Sequence, residues 1–144
     1  MIIEVRRIRT QSESIDGHLY IEGQKICDTV ENAYKAVKPG TYAITLVRCP
    51  LYERKLPHIG RDRLYCDQCP PQEDANMNTH VPVRCTMLKP GNGVHQRTDG
   101  SIRIGTRIVP GCLCRPKPAF DILYDRIRKN LERGNKVTLN IIEA

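Results

Sequence analysis

Two cysteines three positions apart, Cys66-x-x-Cys69, form the sharpest local motif in this chain. On a tight turn two thiolates at that spacing can face one Zn²⁺ at about 2.3 Å. They supply half a site, and Cys112-x-Cys114, Cys85, Cys49, His58 and His80 are the candidates for the other half. None of these has the spacing of a second zinc knuckle, so a loop-stapling structural zinc stands beside unligated thiols as the expectation. A redox role for Cys66 and Cys69 lacks the surrounding strand–helix–strand unit that such motifs use. Cys112 follows Pro110-Gly111 at a strand end, where a nucleophile can be displayed, and His95 lies upstream as a candidate base. His18, His58 and His80 sit beside polar or proline-rich sequence and read as surface residues. No phosphate-binding loop, dinucleotide glycine motif, metalloprotease helix or serine-hydrolase elbow occurs. Enzyme classes that carry strong short motifs are therefore unsupported.

The elements that must position these residues are mostly strands. With no Trp, one Phe and six Tyr among 144 residues, the core must be filled by Ile, Val and Leu. Ile2 to Arg9 reads as the first strand. His18 to Glu22 and Lys25 to Val30 read as a hairpin around Gly23. A polar stretch from Glu31 to Lys38 has helical character, and after Pro39-Gly40 the alternating segment Thr41 to Cys49 is a buried strand. Residues 50–82 lose all periodicity and read as a long loop or insertion. Val83 to Leu88 and Ser101 to Val109 resume as strands. Phe120, Leu123, Tyr124, Ile127 and Leu131 recur at helical spacing, with Pro118 in the first turn and Gly134 at the end. Lys136 to Ile142 closes the chain as a half-buried strand. The expected fold is mainly β (α+β): one domain, 1–144, built on a single mixed or antiparallel sheet. That sheet would be barrel-like if it closes, with one C-terminal amphipathic helix packed on it.

The formal charge of +7 favours an anionic partner: nucleic acid, a cell-wall polymer or an acidic protein. The basic residues are scattered, however, and no aromatics alternate with them to make a base-stacking platform. Seven cysteines, an odd number, fit reduced thiols better than a closed disulfide framework. No stretch approaches the roughly 18 apolar residues of a membrane span, and no signal-like segment opens the chain. The expected location is cytoplasmic.

Several segments carry a resemblance: Gly17 to Ile21, Cys27-Asp-Thr-Val-Glu31, Pro39-Gly40-Thr-Tyr42, Lys89-Pro-Gly-Asn92, Thr98-Asp-Gly-Ser101-Ile-Arg-Ile-Gly105 and Pro118 to Tyr124. Together they resemble an uncharacterised group of small domains common in Bacteroidetes genomes and phage-derived regions, and the likeness spans nearly the whole chain. Members of that group typically read Ile-His-x-Gly-Asn and then Thr-x-Gly-Cys-Ile-x-x-Gly, a pattern similar to the active site of L,D-transpeptidases. The resemblance implies acyl transfer by a thiolate with histidine as base. Here Lys89 stands at the histidine position and Ser101 at the cysteine position. An unactivated serine is a much weaker nucleophile, and lysine needs a lowered pKa to serve it. An alternative register sets Gly111-Cys112 on the Gly-Cys pair and leaves Gly105 at the histidine. The loop around Cys66 has no counterpart in the group.

The leading expectation is thus a degenerate or non-enzymatic member that binds a partner through the surface around Lys89, Asn92, Gly100 and Ser101. A peptidoglycan-acting acyl transferase or peptidase using Ser101 with Lys89, or Cys112 with His95, is the enzymatic alternative, and its ligand would be a cell-wall fragment. A zinc-stapled basic binding module on Cys66 and Cys69 is the third.

Overall fold

Alternation of apolar and polar residues produces the first four strands: β1 (Ile2–Thr10), β2 (Ser14–Ile21), β3 (Gln24–Asn32) and β4 (Gly40–Cys49). They are seen in a computed structural model, which describes residues 1–11, 13–49, 53–60, 72–73, 80–81, 86–91 and 100–143. β2 and β3 form the expected hairpin, closed by Glu22 and Gly23 with φ of 48° and 83°. Positive φ at both central residues gives the turn the twist that matches the flanking strands.

Around this hairpin the sheet is mixed. β1 pairs antiparallel with β2 and parallel with β11 (Thr138–Ile142), and β11 pairs antiparallel with β4. β4 then pairs with β5 (Arg54–Ile59). On the other flank, β3 pairs with β9 (Ile102–Val109), and β9 pairs in parallel with β8 (Leu88–Pro90). A bridge between His58 and Met87 links β5 to the start of β8, so the sheet curls nearly closed. β10 (Cys112–Cys114) pairs antiparallel with the far half of β9. A separate two-stranded ladder joins β6 (Gln72–Glu73) to β7 (His80–Val81).

The enclosed face of this sheet carries Ile3, Val5, Leu19, Ile21, Ile104 and Leu139, each essentially without exposure. Helix α1 (Pro116–Glu132) lays Phe120, Leu123 and Ile127 into the same core. Burying each such side chain contributes roughly 1.5–3 kcal/mol, so the helix and sheet hold one another. Gly134, at φ 79°, ends the helix by donating its N–H to Leu131 O at 3.0 Å. The Arg54 guanidinium lies 4.4 Å from the Tyr124 ring centroid and ties β5 to the helix. The mainly β, barrel-like sheet with one C-terminal helix is the fold expected from the alternation and the helical repeat.

Three local expectations differ. Arg54–Ile59, inside the stretch read as loop, is a strand, with Leu56 fully buried opposite Val47 and Pro57 opposite Leu46. Glu31 and Asn32 end β3 instead of opening a helix, and Asn32 Oδ1 accepts the N–H groups of Tyr34 and Lys35 in a tight turn. Of the strand expected over Val83 to Leu88, Thr86 is irregular, Met87 forms only the isolated bridge to His58 and Leu88 opens β8, while residues 83–85 lie outside the described residues.

Candidate functional site

Parallel pairing of β8 with β9 sets Leu88 beside Ile102 and Lys89 beside Arg103. Met87, just before β8, accepts the Ile102 N–H at 2.9 Å and donates its own N–H to Ser101 Oγ at 3.0 Å. Lys89 and Ser101 therefore flank one seam, two register positions apart, or about 7 Å along the strands. Lys89 has 0% exposure and Ser101 has 2%. Gly100, beside them, is where the turn after β3 presses on the chain, since a Cβ there would lie 2.5 Å from Lys35 O. Asn92, His95, Cys66 and Cys69 lie outside the described residues.

A second polar cluster, absent from the sequence-based candidates, braces the outer face of the β2–β3 hairpin. β9 leaves β3 after the Asp28–Gly105 pair, and the β9–β10 ribbon comes to lie against that face. Arg107 donates its backbone N–H to Asp28 Oδ2 at 2.8 Å, and its guanidinium donates to Gly17 O at 2.8 Å and Thr29 O at 2.6 Å. Gly111 donates its N–H to Asp16 Oδ1 at 3.0 Å, while Arg9 holds Oδ2 of the same carboxylate at 2.9 Å. His18 Nδ1 and Lys25 Nζ lie 2.9 Å and 3.0 Å from Asp28 Oδ1. Burial works against the Asp28 carboxylate, but the Arg107 amide, Lys25 and His18 together hold its pKa below the usual range. The arrangement clamps a ribbon to a sheet, with His18 as a carboxylate-anchored, partly exposed imidazole at its margin.

A third buried pair occupies the enclosed side of the same strands. Arg7 meets Glu31 through two parallel bonds of 3.0 Å and 2.9 Å and also donates to Glu143 and to Val37 O. Arg7 is opposite Gly17, where an added Cβ would lie 2.6 Å from Thr29 Oγ1 and 2.9 Å from Arg6 O. The fork geometry is the strong form of such a pair.

Among the described cysteines, Cys27, Cys112 and Cys114 are free thiols. Burial pushes the Cys27 thiol up to about 12, which keeps it protonated and inert. Cys112 and Cys114 are half-buried on β10, on either side of the buried Leu113. The half-buried His58, at the β5–β8 closure, has its pKa lowered by burial and is neutral at pH 7.

Among the described residues, no group of three or more His, Cys, Asp and Glu side chains is gathered for a metal, and no helix is long and apolar enough to cross a membrane. Comparison with family models, curated proteins and solved structures finds no match to this chain.

Proposed function

We propose that this protein is a non-catalytic binding domain, a degenerate relative of the small phage- and Bacteroidetes-associated domains it resembles, acting on a partner that carries negative charge. One observation carries the non-catalytic part: Ser101 is 2% exposed, and its hydroxyl accepts the Met87 N–H at 3.0 Å. A serine nucleophile must present its oxygen to a carbonyl and pass its proton to a base within hydrogen-bond reach. Ser101 instead satisfies a backbone donor at the edge of β8, and Lys89, with 0% exposure, offers no surface to a substrate. On the register that the resemblance implies, these two residues stand where the resembled domains hold a nucleophile and a base. The formal charge of +7 supports an anionic partner, because long-range attraction raises encounter with such a surface.

The test is incubation of the full chain with muropeptides, followed by intact and peptide mass measurement. No acyl adduct is expected on Ser101. Turnover abolished by Ser101→Ala, or an adduct on Ser101 or Cys112, would overturn the non-catalytic assignment. Retention on a polyanionic matrix should fall steeply with added salt, and salt-insensitive retention would remove the anionic partner.

A further inference from the structure

We propose that Cys112 and Cys114 form a two-thiolate site for a soft monovalent metal ion, copper(I) in chemical class. The two residues stand at positions i and i+2 of β10; the register shift between Cys112 and Leu113 is taken up on β9, which skips Ile108, so β10 keeps its alternation, with both cysteines half-buried on the face opposite the buried Leu113. Leu113 is 2% exposed and anchors the strand from its other side. Both thiols are free and half-buried, which leaves them open to an ion while limiting competition from water.

Distance decides between a disulfide and a bridging ion. Residues i and i+2 of a strand have Cα atoms about 6.7 Å apart, close to the roughly 6.8 Å upper limit for a disulfide. A sulfur–sulfur bond of about 2.05 Å also needs Cβ atoms about 3.8 Å apart, and two Cβ atoms that project in parallel from i and i+2 of one strand face stand nearly as far apart as their Cα atoms, so closing it would draw the backbone inward. An ion held by two metal–sulfur bonds of about 2.3 Å widens the sulfur–sulfur span to about 4.6 Å, which side-chain rotation alone can meet. Zinc asks for four donors, and among the described residues no third His, Cys, Asp or Glu joins this pair. Two thiolates complete the shell of a soft monovalent ion, and sulfur ligands select such ions over harder ones.

The backbone on both sides is already held. Gly111 is bonded to Asp16, Cys114 pairs with Thr106, and the Cys114 carbonyl packs where a Cβ on Gly105 would stand, 2.9 Å away. Arg115, at φ 49°, then turns the chain into α1. Binding therefore orders two side chains and little else, which favours affinity. The charge and proton balance is simple: each thiol releases one proton, and the two thiolates with one monovalent cation leave a site of net charge −1.

Anaerobic titration of the full chain with copper(I), using bicinchoninate as competing indicator, tests this. The wild type should take up one equivalent more than Cys112→Ser/Cys114→Ser, and each single variant should lose that same equivalent. Equal uptake by the wild type and the double variant would overturn the site, as would a single variant that keeps it. Should the double variant fail to fold, alkylation of the wild type remains informative. Copper(I) at saturation should shield Cys112 and Cys114 together from N-ethylmaleimide, and alkylation of both at the metal-free rate would remove the proposal.

Discussion

Gly111 donates its backbone N–H to the carboxylate of Asp16, a residue 95 positions earlier in the chain, at 3.0 Å. This one bond, with the Arg107 amide on Asp28, fastens the β9–β10 ribbon across the hairpin that opens the fold. The carboxylates are well chosen for the task. Each accepts from several donors at once, and Asp16 has no exposure, so its charge is compensated within the protein or not at all.

Replacing Asp16 separates the bond from the charge. Asp16→Ala strands the Gly111 N–H and leaves Arg107 without the carboxylate 3.6 Å from its Nε. We expect a loss of about 2–4 kcal/mol in urea unfolding with an unchanged slope. Asp16→Asn keeps an acceptor and should lose distinctly less. A loss under about 0.5 kcal/mol for the alanine variant would show that the clamp does not hold the fold.

Asp28 should make the clamp sensitive to acid. Its folded pKa lies below the unfolded value of about 3.9, because hydrogen bonds from Arg107, Lys25 and His18 outweigh its burial. A depressed carboxylate contributes stability that is complete above the unfolded pKa and is lost as pH falls through the folded one. Stability measured from pH 6 down to pH 2 should therefore drop below about pH 4 in the wild type. The Asp28→Asn variant should start lower and fall less over that range, and parallel curves would exclude Asp28 as the source.

The core was readable in the sequence and the clamp was not, for reasons that lie in particular residues. Alternation through Ile3 and Val5, and the repeat from Phe120 to Leu131, record faces that meet one continuous apolar interior. The turn at Glu22 and Gly23, extended without irregularity from the Ile21–Gln24 pair, would set His18 opposite Cys27. A bulge between Leu19 and Tyr20 shifts the pairing by one and brings His18 to Asp28 instead. Nothing in the residue types announces that shift, so His18 reads as an ordinary surface residue. Strand β5 was masked by Pro57, which a strand tolerates where its missing N–H is not required. Arg107 and Asp28 are far apart in the chain, and only the departure of β9 from β3 after Gly105 brings them together.

The Arg7–Glu31 pair, with side-chain exposures of 4% and 0%, is the place to ask whether buried charge stabilises this fold. Arg7→Met leaves Glu31 buried without its partner and should cost about 3–5 kcal/mol. Adding Glu31→Leu removes the stranded carboxylate and should recover most of that loss. The readout is a double-mutant cycle by chemical denaturation. Additive losses would mean that the two residues do not act as a pair.

Gly105 tests whether the ribbon is seated by shape as well as by hydrogen bonds. A Cβ at this position would lie 2.9 Å from Cys114 O and 3.0 Å from Leu113 Cβ, and the first of these is backbone that cannot rotate away. Gly105→Ala must therefore lift β10 from β9, at about 1–3 kcal/mol. Gly23→Ala is the matched control: nothing lies within 4 Å of its added methyl, and the strain arises only from φ 83°. Its cost should be about 1–2 kcal/mol and should stay within the turn. The two variants should then diverge in the N-ethylmaleimide reactivity of Cys112 and Cys114, which rises in Gly105→Ala and stays at the wild-type rate in Gly23→Ala. Equal rates in both would mean that packing against Gly105 does not seat the ribbon, and that the bonds to Asp16 and Asp28 hold it alone.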